Sequence, residues 1–110
     1  MRVLITGASG MVGHYLVDKC IEREYSVVAT DIRYNDVFDK YNDLFRFEFK
    51  KADLTNFEKC KEVVKDIDVV FHVAGVKGSP KRAMEQPNDY FTPILQFNTN
   101  MMEAARLEEV

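Results

Sequence analysis

A parallel α/β fold of about four strands is what this sequence predicts, and three observations carry the prediction. Apolar runs of strand length alternate with stretches of helical period along the chain. Three glycines, Gly7, Gly10 and Gly13, fall at three-residue intervals directly between the first strand and the first helix. A carboxylate, Asp31, closes the second strand 18 residues beyond Gly13.

The first strand is Arg2 to Thr6, and the helix that begins near Met11 carries the apolar stripe Val12, Leu16, Val17, Cys20 and Ile21, with Gly13 inside it. Ser26 to Thr30 reads as the second strand, ending at Asp31. The third lies near Arg46 to Lys50, after a variable stretch. Thr55-Asn56-Phe57-Glu58 has the form of a capping box, and Phe57, Cys60, Val63, Val64 and Ile67 recur at helical spacing behind it, so a helix is expected over about 56 to 66. Val69 to Ala74 is nearly continuously apolar, as a strand buried on both faces requires. Ser79-Pro80 offers a cap and first residue for a short helix ending before Pro87. The last helix places Phe91, Ile94, Leu95, Met101, Met102 and Ala105 on one face, with Asn98 at its centre and Asn100 pointing the other way. Pro93 is read as lying near its first turn or at a kink. Strand-helix alternation with right-handed crossovers makes this a Rossmann-like parallel sheet, an incomplete doubly wound fold.

In that context the glycine turn is a dinucleotide site. Glycines let the backbone come close to a pyrophosphate, and the free N–H groups at the start of the next helix point at it with the positive end of the helix dipole. Gly7, Ser9, Gly10, Met11, Val12 and Gly13 are the candidate cofactor residues of this turn, with Gly13 allowing close helix packing. Asp31 stands where a carboxylate accepts hydrogen bonds from the adenosine ribose of NAD. The same charge disfavours the 2′-phosphate of NADP, a repulsion that Arg33 partly offsets, so NAD is the expected cofactor.

Composition narrows the rest. At 110 residues and 46% hydrophobic content the chain makes one compact unit, not a nucleotide-binding half plus a substrate domain. Fifteen Lys and Arg against 18 Asp and Glu give a net charge of −3, without the basic excess that nucleic-acid binding needs. No apolar run approaches membrane-span length and no signal-peptide pattern precedes the first strand, so a cytoplasmic location is expected. Cys20 and Cys60 sit on apolar helix faces and read as buried thiols. No cluster of metal-ligand residues appears.

The Thr-Gly-x-x-Gly-x-x-Gly spacing departs from the Gly-x-Gly-x-x-Gly fingerprint and resembles the extended short-chain dehydrogenase/reductase family, which includes the sugar-nucleotide epimerases and dehydratases. Asp53-Leu54, His72-Val73-Ala74-Gly75 and Glu103-Ala104-Ala105-Arg106 match family segments in the right order. The resemblance implies that Asp53 and Leu54 lie against the adenine and that Ala74 and Gly75 lie beside the cofactor. It also implies a nucleotide-sugar substrate for the parent enzyme. Family chemistry rests on a tyrosine activated by a lysine four residues later, and Tyr15 to Lys19 is the single match here. Both project away from the buried stripe of the first helix, so the catalytic portion is expected to lie outside these residues, leaving an NAD-binding segment incompetent alone. The alternative is a non-catalytic dinucleotide-binding regulatory module.

No catalytic residue is assigned. Asn98 is a candidate for a supporting role, although the family's helical asparagine aligns near Ile94; a core asparagine satisfying local backbone fits it equally. Lys77, Ser79, Lys81 and Arg82 follow the fourth strand, where a substrate phosphate or plain solvent accounts for them. An exposed apolar edge at Val69 to Ala74 would pair with another chain, so self-association is expected through that edge or the last helix.

Overall fold

The computed structural model describes residues 1–75 and 84–110. Its elements run β1 (Arg2–Thr6), α1 (Met11–Glu22), β2 (Ser26–Asp31), a 3₁₀ turn (Asp36–Tyr41), β3 (Phe47–Lys51), α2 (Phe57–Val63), β4 (Val69–His72) and α3 (Asn88–Leu107). The four strands form one sheet in the order β3-β2-β1-β4, every pair parallel. Register follows the apolar pattern: Leu4 lies beside Val28 and Val70, Thr6 beside Thr30 and His72.

Successive strand residues point to opposite faces, and each face has its own core. Val3, Ile5, Val27 and Ala29 pack with Val17 and Cys20 of α1 and with Phe38. Leu4 and Val28 pack on the other face with Leu54, Cys60 and Val63, and with Phe97, Met101 and Ala104 of α3. Tyr34, Phe38, Tyr41, Phe47 and Phe49 form a connected aromatic group over β3. Tyr41 donates its hydroxyl to Asp18, which also pairs with Lys40 at 3.1 Å, tying the 3₁₀ turn to α1. Both cysteines are free and buried.

Several expectations need correction. Val12 is 63% exposed, because the first turn of α1 projects past the sheet; the buried line is Gly13, Val17 and Cys20. The cap of α2 is Asn56, whose side chain accepts from the amides of Glu58 and Lys59, while Thr55 turns back to Asp53. β4 ends at His72 and is not buried on both faces: α1 does not reach across it, and Phe71 is 39% exposed. The inward ridge of α3 is Phe97, Met101 and Ala104, so Phe91, Leu95 and Met102 are exposed and Asn100 faces inward. Pro93 lies within α3, beyond its first turn. The Ser79-Pro80 helix start, together with Lys77, Lys81 and Arg82, lies outside the described residues. No described helix is long and apolar enough to cross a membrane.

Candidate dinucleotide site

Between β1 and β4 the sheet reverses its order of growth, and this switch point opens a crevice at the carboxyl ends of the strands. The glycine turn leaves β1 there. Gly7 has φ +63°, and a Cβ on it would stand 2.7 Å from Ala74 Cα, so the residues after β4 press against the turn. A Cβ on Gly13 would stand 2.1 Å from Gly7 O and 2.7 Å from Ala8 Cα; its close contact is with the turn itself rather than with the strand. Gly10 differs, since a Cβ there meets only Gly7 O, at 3.4 Å. Packing therefore demands glycine at 7 and 13, and nothing among the described residues demands it at 10.

Gly10 is the N-cap of α1 and makes no side-chain cap hydrogen bond. The amides of Met11, Val12 and Gly13 accordingly have no partner within the helix. His14 is the first to bond, to Gly10 O at 3.0 Å, and its ring Nδ1 lies 2.8 Å from the same oxygen. An uncapped helix start beneath a position free of side chain suits an anion's oxygens.

Asp31 lies beside the turn. Its Oδ2 accepts from Ser9 N at 3.0 Å and its Oδ1 from Ile32 N at 2.7 Å, which aims the carboxylate while leaving further lone pairs on both oxygens. Ser9 donates its hydroxyl to Arg33 O at 2.5 Å, and its carbonyl accepts from Asn35 Nδ2 at 2.9 Å, so Ser9 holds the loop that follows β2. Ser9, Arg33, Tyr34, Asn35 and Asp36 line a depression of about 400 Å³ next to Asp31. Ala52 N donates to Asp31 O at 3.0 Å, bringing the Asp53-Leu54 turn alongside. Asp53 is exposed, Leu54 is buried, and a Cβ on Gly75 would meet nothing within 4 Å among the described residues.

Opposite the glycine turn, three side chains form a directed relay. Asn98 Oδ1 can only accept, so His72 Nε2, 2.7 Å away, carries the proton. With the proton on Nε2, Nδ1 accepts from the Thr6 hydroxyl at 2.7 Å, and Thr6 Oγ1 accepts from Ala74 N at 3.2 Å. Phe97 meets the His72 ring edge-on with centroids 5.9 Å apart. Thr6 is completely buried, so the relay joins the last residue of β1 to α3 through the end of β4. Asn98 thus bonds a neighbouring strand end, not local backbone. The partnership with His72 was not legible from the sequence, because the two residues are 26 apart and neither pattern names the other.

The rejected pair behaves as expected: Tyr15 is 63% exposed, stacked on His14, and Lys19 pairs with Glu22 on the outer face of α1. Among the described residues no group of His, Cys, Asp and Glu could hold a metal.

Set beside known proteins, residues 3–110 match the profile of the NAD dependent epimerase/dehydratase family. The chain belongs to that family. Among epimerases of this family, UDP-glucose 4-epimerase of Mycolicibacterium smegmatis is 32% identical over 115 residues, covering all of this chain and 36% of the relative. GDP-mannose 3,5-epimerase 1 of Oryza sativa subsp. indica is 27% identical over 110 residues, covering all of this chain and 29% of the relative. The structure of MoeE5 in complex with UDP-glucose and NAD superposes with a TM-score of 0.84 at 26% identity, covering all of this chain and 34% of that one. The chain thus spans about a third of the length of the relatives it matches. NAD is the family's cofactor, and the Rossmann-like sheet is its fold.

Proposed function

We propose that this chain is the NAD-binding portion of a nucleotide-sugar epimerase or dehydratase. The observation that carries the reading is the unequal need for glycine: 7 and 13 are required by packing, while 10, over the uncapped start of α1, is left open for a pyrophosphate. In this reading the amides of Met11, Val12 and Gly13 bind the phosphates, Asp31 accepts from the adenosine ribose, and the depression beside Ser9 and Asn35 takes the adenosine end. Asp53 and Leu54 lie against the adenine, and Ala74 and Gly75 border the nicotinamide side of the crevice. Bound NAD supplies a hydride acceptor for a sugar carbon. The residues here bind and orient; the proton-transferring tyrosine is supplied from outside them, since the one Tyr-x-x-x-Lys pair faces away from the crevice.

Titration of the chain with NADH, followed by its fluorescence, tests the reading. Replacing Asp31 by Ala removes hydrogen bonds to a charged acceptor and weakens binding by about 10- to 100-fold. Equal binding by Asp31→Ala and the unmodified chain counts against the ribose assignment. A second reading, a dinucleotide-binding module without chemistry of its own, is favoured by the absence of a crevice-facing Tyr-Lys pair among the described residues. A downstream reading frame that encodes a strand and a second Tyr-x-x-x-Lys helix sinks it.

The outer edge of β4 pairs with no strand among the described residues, and Phe71 shares an apolar depression with Met1, Leu16, Cys20 and Tyr25. Self-association through this edge is part of the proposal. Sedimentation of the unmodified chain and of Phe71→Lys checks it; a monomer at high concentration in both is the contrary result.

A further inference from the structure

The Asp53-Leu54 turn is held by a residue that is distant in sequence. Asn100, half-buried on the inward side of α3, donates both hydrogens of its amide, to Leu54 O at 3.0 Å and to Thr55 O at 3.1 Å. Leu54 O also accepts from Cys60 Sγ at 3.2 Å. These carbonyls belong to a turn closed by Asn56 N bonding to Asp53 O at 3.0 Å. Inside it, Asp53 Oδ1 accepts from Thr55 N at 3.0 Å and from Thr55 Oγ1 at 2.7 Å. One carboxylate oxygen of Asp53 is therefore fixed by Thr55, and Thr55 is fixed by Asn100. The second oxygen, Oδ2, is directed by that geometry and makes no hydrogen bond within the described residues.

We infer that Asn100 is a positioning residue for base selectivity: by clamping the Leu54 and Thr55 carbonyls it aims Asp53 Oδ2 at the 6-amino group of the adenine. The inference rests on the cofactor reading above and adds a residue 47 positions from the carboxylate it serves. An amide is the group this place requires. It has two donors for two carbonyls, on a side chain short enough to hold them without slack. Without it Thr55 O loses its side-chain donor and the turn relaxes. The carboxylate then reorients into solvent, because Asp53 is itself exposed.

The test compares NAD with nicotinamide hypoxanthine dinucleotide, which carries a carbonyl oxygen in place of the 6-amino group. A carboxylate accepts from the amine and repels the carbonyl, so the unmodified chain binds NAD about tenfold more tightly. Asp53→Asn reverses or abolishes that preference, its amide now donating to the carbonyl. Asn100→Ala brings the ratio of the two affinities to within about twofold of one. A general loss of stability lowers both affinities together and leaves the ratio alone, so the ratio reads positioning and not folding. Circular dichroism confirms the fold of each variant; if Asn100→Ala is unfolded, Asn100→Ser, which keeps one donor, gives a ratio between the two. An unchanged ratio in a folded Asn100 variant overturns the inference. Equal binding of both dinucleotides by the unmodified chain also overturns it while leaving the cofactor reading intact. Absence of NAD binding overturns both.

Discussion

The two walls of the crevice are built by different means. On one side the glycine turn and Asp31 are held by local bonds between side chains and backbone, all within residues 7 to 35. On the other, Thr6, His72 and Asn98 are joined only by side-chain hydrogen bonds that bridge 66 and 26 residues of sequence. This first wall is sensitive above all to backbone space, at Gly7 and Gly13. The relay has the opposite sensitivity: ring and amide must be the right donors and acceptors, while the backbone beneath them is ordinary strand and helix.

The largest test of that contrast is Gly13→Ala. Its Cβ would lie 2.1 Å from a backbone oxygen that cannot move aside, so the variant should lose about 3 kcal/mol or more of stability. A drop in thermal midpoint of at least about 10 °C is the measurable sign. Gly10→Ala should leave the midpoint within about 2 °C and yet weaken NAD binding by roughly 1 to 3 kcal/mol, since the pyrophosphate alone would contest the methyl group. A matching loss of stability in both variants breaks the distinction between packing glycines and cofactor glycines.

Next in size is the relay. In a double-mutant cycle of His72→Phe and Asn98→Ala, the two changes should couple by about 1 kcal/mol in urea unfolding. Additive effects mean that the 2.7 Å bond contributes nothing to stability.

The smallest effect lies behind the first wall, at the strap between Tyr41 and Asp18. Burial pushes the Asp18 carboxyl up, but the hydrogen bonds from Tyr41 and Lys40 outweigh it and hold the group below its ordinary value of 3.8. An acid depressed in the folded state contributes stability above the unfolded value that is lost as pH falls through the folded one. Tyr41→Phe should therefore cost about 1 kcal/mol near neutral pH and progressively less below pH 3.8. A difference that is constant from neutral to acid places the loss in ring packing against Phe47 and not in the carboxylate.

How much was legible follows the same division. The glycine turn, its strand and helix, and Asp31 were readable because their constraints act over a few residues and leave a spacing. The parallel run of the strands followed from their alternation with helices. What failed were judgments about which face is buried. On α3 the exposed Phe91, Leu95 and Met102 and the buried Phe97 and Met101 are equally apolar as letters, so periodicity does not choose between two stripes on one helix. A face centred on Asn98 turns Asn100 outward; with the ridge on Phe97, Met101 and Ala104 instead, Asn100 meets the carbonyl of a turn 45 residues away. Val69 to Ala74 looked doubly buried because a strand's composition does not say whether a helix covers it. The cap falls one residue later than the box suggests: the Asn56 side-chain oxygen accepts from the Glu58 and Lys59 amides, while the Thr55 hydroxyl donates to Asp53.

The aromatic group over β3 has a spectroscopic consequence. The chain has five tyrosines and no tryptophan, so its ultraviolet emission is tyrosine emission, free of the band that overlaps the nicotinamide absorption of NADH. Tyr34 donates its hydroxyl to Asp39 at 2.6 Å and Tyr41 donates to Asp18, and a phenol bonded to a carboxylate emits weakly. Two lamps are thus dimmed by the fold, one of them on the wall of the depression beside Ser9. Unfolding brightens both, whereas a ligand that displaces Tyr34 from Asp39 brightens only one, giving the crevice an optical signal that needs no added label.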